Sequence, residues 1–135
     1  MWNILAGIFL VLHGLVHLLC FGHGMRFFTL KEGLNWPDGS WLFVNLFGNE
    51  ATRMIAAIAC VIAAVGFVTG AVGLFASQSW WNSVIIASAA FSTLIFVLFW
   101  DGLAAALADK GFFAILINAA IMVSVLVLKW PHVGW

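Results

Sequence analysis

Apolar residues run almost unbroken through four stretches, residues 2–22, 53–75, 80–100 and 112–129, and the polar residues collect in the gaps between them. Each run reaches or approaches the roughly 20 residues that carry a helix across the hydrocarbon core of a bilayer. From Met54 to Trp100 there is no Asp, Glu, Lys, Arg or His, so the two middle runs lack the polar face of a soluble amphipathic helix. The pattern predicts an all-α chain, an integral membrane four-helix up-down bundle forming one transmembrane domain over residues 1–135. One interfacial loop or short helix is expected between helices one and two.

The gaps show how the spans are joined. Gly22, Gly24 and Arg26 end the first run, and Trp36-Pro37-Asp38-Gly39-Ser40 is a turn signal in which proline sets φ and glycine is free to take positive φ. Trp41 to Phe47 is apolar but too short to span; it is expected to lie at headgroup depth, where tryptophan is favoured, or to fold back as a lid over one end of the bundle. Helix two starts near Glu50 to Arg53. Within it, Gly66-x-x-x-Gly70 and the alanines around it offer a face for close backbone approach, either inside the chain or as a homodimer seam. Ala76 to Ser79 make a short uncharged turn, Asp101 to Gly111 a longer one, and Lys129-Trp130-Pro131 stop the last helix.

Composition agrees with this reading. Of 135 residues, 65% are hydrophobic and 7% charged, against about 25% charged in an average soluble domain, and mean hydropathy is +1.16. Five basic and five acidic residues cancel, which points to no nucleic-acid partner. Cys20 and Cys60 lie singly inside apolar runs and read as small packing residues; neither CxxC spacing nor further cysteines mark a redox pair. Met1-Trp2-Asn3 lacks a basic n-region, so the first run reads as a retained span. Arg26, Lys31, Arg53 and Lys110 flank connections on one side and Lys129 stands alone on the other. The positive-inside rule then places residues 24–49 in the cytoplasm and both termini outside, across a bacterial inner membrane.

The first run holds the candidate chemistry. His13 and His17 are one helical turn apart, roughly 6 Å along the axis, on one face. Alternating threading gathers His17, His23, Arg26, Glu50, Arg53, Asp101, Asp109 and Lys110 at one end of the bundle, and puts Asn118 at the depth of His17. The sharper reading is a pocket lined by His13, His17 and Asn118 with Glu50, Arg53 and Asp101 at its mouth. The plainer one makes the histidines interhelical hydrogen-bonding groups and Glu50–Arg53 a local ion pair at a helix start. His132, past Pro131, reads as solvated. His13, His17 and Asp101 nominally match a two-histidine, one-carboxylate iron site, but four histidines are too few for a di-iron oxygenase, and two stacked on one helix cannot ligate both faces of one haem. No metal is assigned, and the residues name no cofactor.

His13-Gly14-Leu15-Val16-His17-Leu18-Leu19-Cys20-Phe21 resembles the HGxxHxxGF-type first helix of small bacterial four-span membrane proteins described as DoxX-like. Trp100-Asp101, then Lys110-Gly111-Phe112 and Asn118, are similar to that family's later Trp-Asp, Lys-Phe-Gly and Ala-Asn pattern, with Cys20 where glycine is usual. The resemblance implies a four-helix membrane bundle without an established activity; DoxX proteins proper are associated with quinol oxidation as accessory subunits. The expected function is binding of an apolar ligand (membrane lipid, quinone or isoprenoid) or a partner helix through a polar-mouthed pocket. The alternatives are a small isomerase or redox enzyme using His17 and Asp101, and a structural accessory subunit in a larger respiratory or photosynthetic complex or a homo-oligomer.

Overall fold

The computed structural model describes residues 1–104 and 110–132. Its regular structure is four α-helices, α1 (Trp2–Gly24), α2 (Phe43–Phe75), α3 (Trp81–Leu98) and α4 (Phe112–Leu126). Among the described residues, three helices are long and apolar enough to cross a membrane: α1 with 23 residues, α2 with 33 and α3 with 18. The fourth run is shorter than the sequence predicts. At 15 residues, α4 rises about 22 Å, against a hydrocarbon core of about 30 Å. It stops where the Val127 and Leu128 amides both turn back to the Val123 carbonyl and Lys129 enters the left-handed region at φ 52°.

Helix α2 begins earlier than expected because the short apolar stretch before it is also helical. The two pieces meet at Gly48, whose φ of 76° and ψ of 171° lie outside the helical region and suit only a residue without Cβ. Thr52 Oγ1 donates to the Gly48 carbonyl at 2.7 Å and anchors the second piece at the break.

Packing proceeds in chain order, α1 on α2, α2 on α3 and α3 on α4. Glycines set the approach. A Cβ on Gly14 would come within 2.8 Å of Phe67 Cβ, while Gly66 rests against Ser88 and Gly70 against Ile85. The Gly66-x-x-x-Gly70 face is therefore spent on α3 of the same chain. At the helix ends, Gly7 of α1 meets Phe75 of α2, a Cβ on Gly24 would lie 3.9 Å from the Arg53 carbonyl, and Trp2 packs edge-on to Trp130 at 6.5 Å.

Two apolar clusters fill the interior. One joins Leu10, Phe67, Leu74, Trp81, Ile85 and Ile121; the other joins Trp36, Ala56, Cys60, Ile95, Phe96 and Phe99. The His17 ring touches both, 5.5 Å from Phe67 and 6.0 Å from Phe96. Outward faces stay apolar, with Leu12, Val16, Ile58, Ile62, Leu94 and Val97 exposed.

Candidate functional site

Polar side chains assemble in two places, one deep between the helices and one at the end that carries the long loop.

The deep assembly starts on α1. His17 Nδ1 lies 3.0 Å from the His13 carbonyl, one turn back, and a carbonyl can only accept, so Nδ1 carries the proton. In the neutral ring Nε2 must then accept, and it lies 2.7 Å from Ser92 Oγ of α3, whose hydroxyl donates. Asn118 Nδ2 of α4 donates to Ser92 Oγ at 2.9 Å and to Thr93 Oγ1 at 3.2 Å, and Asn118 Oδ1 receives His13 Nε2–H at 2.9 Å. Thr93 Oγ1 donates its own hydrogen bond to the Ala89 carbonyl. One assignment satisfies these bonds with both imidazoles uncharged. His17, Ser92 and Asn118 are essentially without exposure and His13 is 7% exposed.

A hydroxyl on imidazole Nε2, with the other ring nitrogen held by an acceptor, is the arrangement of an activated nucleophile and its base. Here it has no room to act. Ser92 is fully buried and its oxygen already accepts the Asn118 amide. The assembly instead ties α1, α3 and α4 together through polar groups that would be costly if left unpaired in an apolar interior. Asn118 meets His13 directly and reaches His17 only through Ser92. Neither histidine nor Asn118 lines the cavities described below.

At the loop end, Arg53 grips Asp38 with two bonds, Nε to Oδ1 at 2.6 Å and Nη2 to Oδ2 at 2.7 Å, and Arg26 adds a contact of 2.9 Å. Arg26 also donates to the Asn35 and Trp36 carbonyls. Arg53 spends both of these bonds on Asp38 and not on the expected Glu50, which still acts on it as a nearby negative charge. Asp38 presents both carboxylate oxygens to the planar guanidinium fork, while Glu50 is exposed. Asp101 pairs with Lys110 at 2.7 Å and accepts the Leu103 amide at 2.9 Å. Burial by itself would raise the Asp38 and Asp101 carboxyls; the bonds and charges of Arg53 and Arg26, and of Lys110 with the Leu103 amide, prevail and hold both below the usual carboxylate value.

The loop closes over this end as a plug. Ser40 Oγ, Trp41 Nε1 and the Trp41 amide donate to the carbonyls of Leu98, Val97 and Trp100, the groups that a helix C-terminus leaves without partners. Trp36 is buried against Phe96 and Phe99, at ring separations of 5.9 and 6.3 Å. Two buried nitrogens here, His23 Nε2 and Trp36 Nε1, have no protein partner among the described residues. His23 Nδ1 accepts the Leu30 amide, so its free Nε2, like the indole nitrogen, is a donor.

Between the plug and the end of α3 lies a cavity of about 280 Å³ lined by Leu34, Trp36, Phe99, Asp38, Asp101 and Lys110, among others. Phe99 also lines an apolar groove of about 340 Å³ between α2 and α3, walled by Ile55, Ile62, Leu94 and Leu98. A third, apolar groove of about 300 Å³ separates α1 from α4 between Trp2 and Trp130.

The sequence-predicted residues thus divide. His13, His17 and Asn118 share the deep assembly; Asp101 belongs to the loop-end cavity; Arg53 supports it through Asp38; Glu50 is in neither. His17 and Asp101 are held in separate networks, and Asp109 lies outside the described residues. Among the described residues, no three His, Cys, Asp or Glu side chains gather around one point where an ion could sit. Ser92, Thr93, Asp38 and Trp36 were not foreseen as site residues. Trp36-Pro37-Asp38 is visible as a turn, but nothing local distinguishes Ser92 from Ser88, which bonds its own helix at the Val84 carbonyl. No protein-family model, curated protein or solved structure matches the chain.

Proposed function

We propose that this chain is an inner-membrane protein of bacterial type, threaded as an up-down four-helix bundle, that binds an amphiphile at its loop end: a neutral lipid, a quinone or an isoprenoid. The observation that carries the reading is Phe99, which borders both the ion-paired cavity under the loop and the apolar groove between α2 and α3. A ligand with its head in the first and its chain along the second would have Phe99 as the wall between them and meet the polarity it needs at each end. Of the charged groups lining the cavity, Lys110 is paired with Asp101, and Asp38 is held by Arg53 and Arg26 from outside the lining, which favours an uncharged head over a phosphate or a free acid. Trp36 Nε1–H supplies a buried donor beside it.

The threading is supported by the end contacts, in which the start of α1 meets the end of α2 and the end of α1 the start of α2. Arg26, Lys31, Arg53 and Lys110 then share the cavity end, which faces the cytoplasm, and both termini lie outside. α4 spans with help from Val127, Leu128 and Trp130 beyond its last turn, a mismatch that bilayers accommodate at a fraction of a kcal/mol per Å. The deep histidine–asparagine assembly holds the frame.

Native mass spectrometry after gentle extraction tests the binding. Wild-type protein is expected to carry one apolar species, and Trp36→Ala to lose it about tenfold, a change of about 1.4 kcal/mol, with helical circular dichroism unchanged. Equal occupancy in the two proteins would remove the reading.

A further inference from the structure

Packing in chain order leaves α1 and α4 as the two edges of the bundle, without a packed face between them. They are tied at two points. Trp2 of α1 meets Trp130 edge-on at 6.5 Å. About 16 Å further along α1 at the helical rise, His13 Nε2–H donates to Asn118 Oδ1 of α4 at 2.9 Å. Trp130 reaches its place because the chain folds back past the last turn of α4: Lys129 takes a left-handed φ of 52°, and the Trp130 amide bonds the Ser124 carbonyl at 2.9 Å. Between the two ties lies the apolar cleft of about 300 Å³. Leu5 and Phe9 wall it on α1, Ala120 and Ile121 on α4, and Trp81 of α3, which is buried, closes it from behind.

We infer that this cleft is a phospholipid site, in which one acyl chain lies between α1 and α4 and the phosphate meets Lys129. The walls are hydrocarbon, with Ser124 the one hydroxyl among the described lining residues, and the volume stands at the lower end of the range of about 300–1,000 Å³ that ligand sites occupy. The closed ends choose a chain over a partner helix. A helix is about 10–12 Å thick with its side chains and needs a groove open along its axis, whereas this cleft is shut by an aromatic pair at one end and a hydrogen bond at the other. A flexible chain can enter through the side, where Leu5 and Phe9 are half-exposed. Charge chooses the head. Lys129 is exposed and directly precedes Trp130, and the acidic residues among those described, Glu32, Asp38, Glu50 and Asp101, belong to the loop end. A lipid phosphate supplies the anion this end lacks, at the headgroup depth that Trp2 and Trp130 favour. The site is at the opposite end of the bundle from the loop cavity; of the reading above it needs only the membrane placement.

The test uses the full chain, stripped of lipid in detergent micelles and titrated with dioleoyl phosphatidylglycerol under native mass spectrometry. Dioleoyl trimethylammonium propane, with the same chains and a cation in place of the phosphate, serves as the comparison. Wild type is expected to hold one phosphatidylglycerol at least about fivefold more tightly than the cationic lipid. Lys129→Gln should weaken phosphatidylglycerol about fivefold. Ala120→Phe, which puts a ring into the cleft from an exposed position, should weaken it about tenfold or more, with helical circular dichroism unchanged. Trp36→Ala should leave it as in wild type, which separates this site from the loop-end ligand. Phosphatidylglycerol bearing a diazirine on its chain, photolysed on the wild-type protein, should label residues 2–10 and 117–131 in preference to the outer faces of α2 and α3, and this result does not depend on how any variant folds. Uniform labelling along the helices, or wild-type affinity in folded Ala120→Phe, would overturn the site; so would a wild-type dimer in micelles that Ala120→Phe dissociates, because a second copy would then fill the cleft. Wild-type affinity in Lys129→Gln would overturn the phosphate contact.

Discussion

Replacing Asn118 with alanine removes the one side chain that links all the deep polar groups. Asn118 is fully buried and makes three side-chain hydrogen bonds, to His13, Ser92 and Thr93. Between helices in a membrane such bonds average about 0.6 kcal/mol each, or about 2 kcal/mol for the three. The partners do not suffer equally. Ser92 keeps its bond to His17 and Thr93 its bond to the Ala89 carbonyl, but His13 Nε2–H, on a residue 7% exposed, has nowhere else to donate. An unpaired buried donor costs about 1–3 kcal/mol, so the whole change is expected at about 3 kcal/mol, roughly a hundredfold in the unfolding equilibrium. Reversible unfolding in mixed micelles measures it. A double-mutant cycle with His13→Phe, which retains an aromatic ring opposite Phe67 (4.8 Å away in the wild type), should give a coupling of about 0.6–1.7 kcal/mol. A loss below about 0.5 kcal/mol for Asn118→Ala, or strict additivity in the cycle, would refute the assignment of these groups as a structural tie.

Two further outcomes follow from the same geometry. Gly66→Leu should lower stability by about 1–3 kcal/mol, since its Cβ would collide with Ser88 Oγ, which is held in place by the Val84 carbonyl; partial recovery in the Gly66→Leu, Ser88→Ala double variant, followed by thermal melting, checks the contact. Asp38 has a folded-state carboxyl held below its ordinary value of 3.8, so the stability it contributes is complete above the unfolded value and disappears as pH falls through the lower folded one. Thermal melts from neutral to acid pH should therefore lose stability on the acid side in wild type, and Asp38→Asn should start lower and show a flatter acid limb; parallel curves would count against the ion-paired plug.

Much of this was legible in the chain. The helices show as long apolar runs, and the break after the first run shows as glycine and arginine. The turn at residues 36–40 and the short helix before α2 were readable from proline, glycine and length. The end of α4 was not, because Val127 and Leu128 are as apolar as the helix they follow, and only the amides turning back to Val123 stop it. Nor was the partner of Arg53 readable. Glu50 is three residues away in sequence, but a bidentate grip depends on the angle at which Asp38 arrives from the loop.

Sequence alone marked the helices as long and apolar enough to cross a membrane and the gaps in which the charges gather, since both depend on how many apolar residues stand in a row and on where the row is interrupted. It also marked His13, His17 and Asn118 as groups that must find partners. Which partners they found was settled by tertiary packing. Hydrogen bonds depend on angstrom-scale placement of residues from different helices, and that placement comes from the glycine contacts between them.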